Sequence, residues 1–164
     1  MPRLLPLALA TVLAAGLLAA AAHAGSEAGE RTPWVIDGDT LAFGAGHVRL
    51  EGIDAPESKQ TCTAYGQDWP CGQMATAWLR EAVAGRDVTC TGHARDRYGR
   101  LLGTCFVGGE NLNARIVAEG WAVAYRYYGD AYVPEEDAAR RAGRGIWRGT
   151  FEEPWRWRRE HRAP

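Results

Sequence analysis

The stretch "VIDGDTLAFGAGHVRLEGIDAPE", residues 35–57, decides the fold, because its apolar residues alternate as they do in β-strands. We predict strand segments over 34–36, 41–43 and 48–53. The glycine-rich turn over 44–46 separates the last two segments, which is typical of strands that pair with each other. The stretch therefore predicts an antiparallel sheet near the start of the domain.

Helical spacing first appears after this region. Ala75, Trp78, Leu79 and Ala82 recur as on one face of a helix, and Gly85 is a typical helix stop. Further strands are predicted over 87–91 and 101–107, joined by a turn over 96–100. Further helices are predicted over 113–119 and 134–142, and a loop is predicted over 58–70. Strands that precede and separate helices without repeating βαβ units predict an α+β fold, and 164 residues suit one domain.

The N-terminal segment has the pattern of a secretory signal peptide. Arg3 precedes an apolar run that ends in Ala22-His23-Ala24, so we predict a signal peptide over 1–24 and a flexible leader over 25–32. A membrane anchor is the alternative, but the apolar run is short for a membrane span. We expect a periplasmic or secreted monomer that does not associate stably with membranes after cleavage.

Four cysteines in an exported chain predict two disulfides. Cys90 and Cys105 flank the turn over 96–100 almost symmetrically, so a hairpin would place them opposite each other. Cys62 and Cys71 then form the second pair. A zinc site is the alternative, but no C-x-x-C unit is present and the histidines are scattered.

Four carboxylates interrupt the apolar pattern of residues 35–57. Asp37 and Asp39 share one side of their strand, and Asp54 and Glu57 come at the end of the next strand. Clustered carboxylates need a cation or an arginine to offset their charge, and oxygen ligands favour calcium or magnesium. Turn chemistry is the alternative, because "DGD" and "DAPE" are also common turn sequences.

Two arginines favour the metal interpretation. Arg49 lies between the acidic pairs, and Arg100 ends the turn over 96–100, so both guanidinium groups can approach one place. Guanidinium groups bind phosphate oxygens and stabilise the charge that develops during phosphoryl transfer. A metal, two arginines and one further carboxylate are the groups that phosphodiester hydrolysis requires.

The chain resembles the thermonuclease, or staphylococcal-nuclease-like, family. The matching segments, in order, are "VIDGDT" (35–40), "VRLEGIDAPE" (48–57), "DRYGR" (96–100), "AEGWAVAY" (118–125) and "GIW" (145–147). The resemblance implies a five-stranded OB-type β-barrel with about three α-helices over 33–149. The chain departs from the family pattern at Ala55, where threonine is usual. Its four cysteines and its C-terminal end also differ from that pattern.

The resemblance also implies an exported calcium-dependent nuclease that cuts DNA, RNA or both and leaves 3′-phosphate ends. It implies that Asp39, Asp54 and the main-chain carbonyl of Ala55 bind Ca²⁺. Glu57 would be the general base, with Arg49 and Arg100 on the phosphate. Tyr98 and Tyr125 would contact the nucleotide. A non-catalytic OB module that binds single-stranded nucleic acid or protein is the alternative. The complete set of acids and arginines favours the enzyme.

The segment over 150–164 is a tail rich in tryptophan and arginine. The whole chain has a formal net charge of −1, so only this local excess of arginine suggests a polyanionic partner. Trp155 and Trp157 could stack on nucleic-acid bases. We favour the other interpretation, in which they cover the barrel and the arginines face water.

Overall fold

The structure is a computed structural model that describes residues 28–161 of the chain. The predicted signal peptide over 1–24 lies outside the described residues. Within 28–161, no helix has the length and apolar character that a membrane crossing requires.

The main sheet is mixed and has seven strands. They are β1 (Ala28–Arg31), β2 (Trp34–Asp37), β3 (Thr40–Phe43), β4 (Gly46–Leu50), β8 (Val88–Arg95), β9 (Leu101–Val107) and β10 (Glu110–Asn111). The strand order is β1-β8-β9-β4-β3-β2, with β10 on β9, and among the described strands no pairing closes this order into a ring. Only β4 and β9 pair in parallel. Arg49 therefore lies between Thr40 of β3 and Leu102 of β9.

The predicted strand over 48–53 is divided in two. The chain turns at Glu51 and Gly52, and β5 (Ile53–Asp54) leaves the main sheet to pair with β11 (Val123–Ala124). This division carries Asp54 away from β4, towards a different part of the chain.

The loop predicted over 58–70 instead contains a small hairpin of β6 (Cys62–Ala64) and β7 (Gln67–Trp69). Tyr65 and Gly66 form its two-residue turn with φ angles of +52° and +75°. Turns with two positive φ angles match the twist of paired strands. The prediction was wrong because the Tyr-Gly pair lacks the usual Asn or Asp of such a turn.

Part of the predicted flexible leader also forms a strand. Ala28–Arg31 pairs antiparallel with β8, with Ala28 opposite Cys90 and Arg31 opposite Val88. Its polar, small-residue composition gave no sign of a strand, because main-chain hydrogen bonds to an open sheet edge need no particular side chains.

The described residues contain four α-helices, α1 (Cys71–Val83), α2 (Leu112–Ala118), α3 (Val133–Arg141) and α4 (Pro154–Glu160), and two 3₁₀ turns, Arg126–Tyr128 and Gly145–Arg148. Ala75, Leu79 and Ala82 of α1 are buried, as their spacing predicts. The first three helices match the three predicted, and α4 lies within the residues expected as a tail. The α+β class is confirmed.

Two apolar clusters form the core. The larger joins the sheet to α1 and α2 and includes the fully buried Leu41, Leu50, Leu79 and Ile116. The smaller contains Cys62, Cys71, Val123 and Ile146, with Trp155 of α4 packed against it. The C-terminal helix is therefore attached to the domain through apolar contacts.

Both predicted disulfides are confirmed. Cys90 and Cys105 are bonded and lie directly opposite each other on β8 and β9. Cys62 and Cys71 are bonded and connect the hairpin to the first residue of α1.

Candidate active site

Three of the predicted site residues meet at the junction of β3, β4 and β5. The Nη2 atom of Arg49 lies 3.0 Å from Oδ2 of Asp39 and 2.8 Å from Oδ1 of Asp54. The main chain supports this arrangement, because the amide of Leu50 donates to the carbonyl of Asp39 at 2.8 Å. The amide of Ala55 lies 3.4 Å from Oδ2 of Asp39. Asp39 and Asp54 thus lie close enough to share one cation.

Burial distinguishes this acidic pair from turn residues in water. The side chain of Asp54 is fully buried, while 16% of the side chain of Arg49 is exposed. Burial raises the pKa of Asp54, and the charge of Asp39 adds to that rise, whereas Arg158 and Arg49 oppose it. The pKa of Arg49 is itself raised, because Asp39 and Asp54 outweigh the effect of its burial.

Asp37 shapes the turn that presents Asp39. Its Oδ1 accepts a hydrogen bond from the amide of Asp39 at 3.1 Å. Burial, followed by the charge of Asp39, raises the pKa of Asp37 to about 6. This side chain bonds to the main chain of its own turn, which agrees with a structural contribution.

Arg100 is fixed by Asp96, which lies at the other end of the turn over 96–100. Its Nε and Nη2 atoms each lie 2.7 Å from Oδ2 of Asp96. Although partial burial opposes it, hydrogen bonds from Arg100 and from two main-chain amides lower the pKa of Asp96. The remaining Nη1 donates to Thr40 Oγ1 at 3.2 Å, and Thr40 Oγ1 donates to Asp39 Oδ1 at 3.0 Å. A continuous polar chain therefore joins Arg100 to Asp39.

Glu57 lies in a tight turn closed by Gln60. The amide of Gln60 donates to the carbonyl of Glu57 at 2.7 Å, and the amide of Glu57 donates to Oε1 of Gln60 at 3.1 Å. A Cβ atom on Gly72 would lie 1.7 Å from the carbonyl oxygen of Glu57, so only glycine allows α1 to approach this turn. The first turn of α1 thus fixes the main chain of Glu57.

The structure brings to the site Arg158 of α4, which was not among the predicted site residues. Its Nη1 atom donates to Oδ1 of Asp54 at 2.8 Å and to Oε1 of Glu57 at 2.7 Å. Its Nη2 atom donates to Oδ2 of Asp54 at 2.8 Å. The prediction that the arginines of the tail face water is wrong for Arg158. The arginine-rich composition of the tail was the only signal for it.

Contacts of the residues that precede Arg158 hold α4 in place. The Nε2 atom of Gln60 donates to the carbonyl of Glu152 at 2.6 Å, just before Pro154 begins the helix. Trp155 packs on the smaller apolar cluster and lies 6.0 Å from the ring of Tyr125. The tail is therefore built into the wall of the site.

An open cleft of about 1140 Å³ runs over these residues. Its polar part is lined by Asp39, Arg49, Glu57, Arg100 and Arg158, and its aromatic part by Tyr98, Tyr125, Tyr127, Trp155 and Trp157. Both tyrosines that the resemblance assigned to the nucleotide, Tyr98 and Tyr125, thus reach the cleft. Tyr127 lines the same cleft and was not predicted. Trp155 lines the cleft and also packs on the smaller apolar cluster, so it covers part of the core, as expected for the tail.

The oxygens of this site suit a hard divalent cation. Asp39 and Asp54 offer carboxylates, which are ligand types of calcium and magnesium. At Ala55 the structure shows the amide, 3.4 Å from Oδ2 of Asp39. Within residues 28–161, however, no three His, Cys, Asp or Glu side chains cluster as a metal site. A cation here would complete its coordination with water, and the guanidinium groups of Arg49 and Arg158 hold the same carboxylates.

Comparison with known proteins agrees with the fold. The described residues form an α+β domain with an OB-type strand arrangement that carries an acidic pair and converging arginines. Residues 47–149 match the family described as "Staphylococcal nuclease homologue". The chain belongs to this family.

Three relatives are similar over most of the chain. The "Micrococcal nuclease" of Shigella flexneri is 39% identical over 143 residues, which cover 76% of this chain and 77% of that protein. An "Uncharacterized endonuclease" of Escherichia coli O157:H7 is 39% identical over 132 residues, 76% of this chain and 80% of that protein. The "Succinoglycan biosynthesis protein ExoI" of Rhizobium meliloti (strain 1021) is 37% identical over 122 residues. That match covers 72% of this chain but 64% of the relative, less than two thirds of its length.

Proposed function

We propose that this protein is an exported nuclease that hydrolyses phosphodiester bonds of DNA, RNA or both, with calcium as cofactor and 3′-phosphate products. The observation that carries the proposal is the convergence of Asp39, Arg49 and Asp54, with Glu57 and Arg100 on the same cleft. Family membership supports the reaction class, because relatives at 39% identity are named as nucleases.

In the proposed mechanism, Arg49 and Arg100 bind the phosphate that is cleaved. Asp96 fixes Arg100 through two short contacts, so little conformational entropy is lost when a phosphate binds. The carboxylates of Asp39 and Asp54 hold the guanidinium of Arg49, and 16% of the Arg49 side chain is exposed. Both groups are oriented before the substrate arrives, which is what stabilisation of the pentavalent transition state requires.

Glu57 is the proposed general base. Its side chain is 31% exposed, so water reaches it, and its main chain is fixed by Gln60. A carboxylate in this position takes a proton from the attacking water as the new P–O bond forms. The leaving 5′ oxygen departs from the opposite side of the phosphorus, where water can supply its proton.

Asp39, Asp54 and the carbonyl of Ala55 would hold the cation. When bound, calcium would neutralise charge on the phosphate and polarise it towards attack. Asp37 would keep its structural task, since its Oδ1 atom is bonded to the amide of Asp39.

The proposal is tested by digestion of DNA and RNA with calcium, with magnesium and with excess EGTA in parallel. We expect cleavage that requires calcium, and a loss of about 10²- to 10⁴-fold in kcat for Glu57→Gln. Glu81→Gln is the matched control, because Glu81 is exposed on α1. Full activity in Glu57→Gln would contradict the assigned base, and full activity in EGTA would contradict the cofactor. Retention of intact oligonucleotide without cleavage would favour the binding module.

Export is proposed from the disulfides. Both bonds are buried within the domain and form in oxidising compartments. We propose a periplasmic or secreted monomer, which fractionation of the producing cells and size-exclusion chromatography would test. Recovery of the protein in the cytoplasm with reduced thiols would contradict export.

A further inference from the structure

The guanidinium group of Arg158 binds the two acids that the proposed mechanism needs most. It donates to both carboxylate oxygens of Asp54 and to one oxygen of Glu57, at 2.7 to 2.8 Å. The first acid is a proposed cation ligand and the second is the proposed base. One cationic side chain therefore contacts both a proposed cation ligand and the proposed general base.

Charge explains why a cation must be present at this position. Asp39, Asp54 and Glu57 bring three carboxylates together, and Arg49 alone contacts only the first two. Asp54 is fully buried, and a buried carboxylate without a compensating cation is strongly destabilising. Arg158 supplies this compensating charge within the chain itself.

Arg158 is the more exposed of the two arginines on Asp54. Arg49 belongs to β4, paired on both sides, and 16% of its side chain is exposed. Arg158 reaches the site from α4 at the end of the chain, and 30% of its side chain is exposed. Arg158 also lines the cleft, so rotation of its side chain would return the guanidinium to water.

We propose that Arg158 is an internal counter-ion that a divalent cation must displace from Asp54 and Glu57, so that α4 sets the affinity of the site for the cation. This inference rests on the proposed function. Arg158 already contacts both oxygens of Asp54, and Arg49 also contacts Oδ1. A divalent cation that binds Asp54 directly therefore competes with Arg158 for these oxygens and is repelled by its charge. Displacement also releases Glu57 from its contact with Arg158 Nη1, so the base becomes free when the cation binds.

Helix α4 itself stays in place in this description. Trp155 is packed on the smaller apolar cluster, and the carbonyl of Glu152 accepts from Gln60. Only the side chain of Arg158 moves, and it remains on the wall of the cleft. The displaced guanidinium therefore lies where the phosphates of a nucleic-acid strand would pass.

The test is calorimetric titration of the purified protein with calcium chloride in the absence of nucleic acid. We expect Arg158→Gln to bind calcium about tenfold or more tightly than the wild type, a typical magnitude for coupling between two binding events. Arg159→Gln is the matched control, because it makes the same charge change on the exposed side of the same helix. Its affinity should equal that of the wild type.

Thermal unfolding gives a second readout that does not depend on activity. In EGTA, Arg158→Gln should unfold at a lower temperature than the wild type, because Asp54 has lost a counter-ion. Calcium should raise the Tm of the variant by more than that of the wild type, since tighter binding stabilises more at equal calcium concentration. Arg158→Met, which keeps the aliphatic stem, is the second variant if Arg158→Gln does not fold.

The outcomes separate this inference from the proposed function. Equal calcium affinity in the wild type and both Arg158 variants would refute the counter-ion and leave the cation site intact. Weaker binding in the variants would also refute it, because Arg158 would then support the site. If neither the wild type nor the variants bind calcium, the cation site of the proposed function fails and the inference fails with it.

Discussion

Asn113 gives the strongest prediction about how the site is held together. Its fully buried side chain accepts a hydrogen bond from the amide of Cys105 at 3.0 Å. It also donates to the carbonyls of Glu51 and Gly103 at 2.9 Å and 3.0 Å. Glu51 lies in the turn between Arg49 and Asp54, so Asn113 connects α2 to the segment that positions both residues.

The cost of Asn113→Ala follows from the groups left without a partner. The carbonyl of Gly103 keeps a hydrogen bond from the amide of Glu51 at 2.9 Å. The amide of Cys105 and the carbonyl of Glu51 each lose the bond to Asn113. An unsatisfied buried polar group costs about 1–3 kcal/mol, which applies to the amide of Cys105, and the carbonyl of Glu51, on a half-buried residue, adds a smaller cost. A loss of this size is a large part of the total stability of a typical domain.

Urea unfolding followed by tryptophan fluorescence measures this loss. Asn111→Ala is the control, because Asn111 caps the same helix by accepting from the amide of Ala114, and loss of a cap costs about 1 kcal/mol. We expect Asn113→Ala to be the more destabilising by about 1 kcal/mol. A loss no greater than that of the control would refute the assignment of Asn113 as the link between α2 and the site.

Three further predictions concern the turn over 96–100 and the strands around it. Replacement of Cys90 and Cys105 by serine should lower the free energy of unfolding by about 3 kcal/mol, given a sequence separation of 15 residues, and urea titration would show it. Arg100→Lys should lower kcat/KM for an oligonucleotide by about 10²- to 10³-fold, and an unchanged value would exclude Arg100 from the transition state. The lowered pKa of Asp96 contributes stability above its ordinary pKa of 3.8, which is lost as the pH falls through the folded-state value. Asp96→Asn should therefore have a lower urea midpoint than the wild type at pH 7, and this difference should shrink below pH 3.8; a constant difference would contradict it.

Local patterns were sufficient where a structure depends on neighbouring residues. The apolar run of residues 41–43 and the helical spacing of Ala75, Leu79 and Ala82 predicted elements that the structure contains. Strand β3 is buried throughout, and α1 buries the face that carries these three residues. The symmetric placement of Cys90 and Cys105 around their turn was likewise enough to pair them. In each case the partner lies on the same element or on the adjacent strand.

Local patterns failed where a distant segment decides the outcome. The break after β4 arises because Ile53 and Asp54 pair with Val123 and Ala124, about 70 residues later in the chain. The contact of Arg158 with Asp54 joins residues separated by 104 positions. Neither alternation nor helical spacing carries information over that distance. The tail could be predicted as basic and aromatic, but not as part of the site.

Three arginines approach the carboxylates of this site, and what holds each of them indicates a different task. Asp96 binds Arg100 from outside the acidic pair, so Arg100 keeps its orientation whether or not a cation is present. Strand pairing on both sides fixes Arg49. Among the described residues, the guanidinium of Arg158 contacts Asp54 and Glu57, the two acids on which the proposed chemistry depends. In the proposed exchange, a cation on Asp54 therefore displaces the guanidinium of Arg158, while Asp96 keeps Arg100 in place.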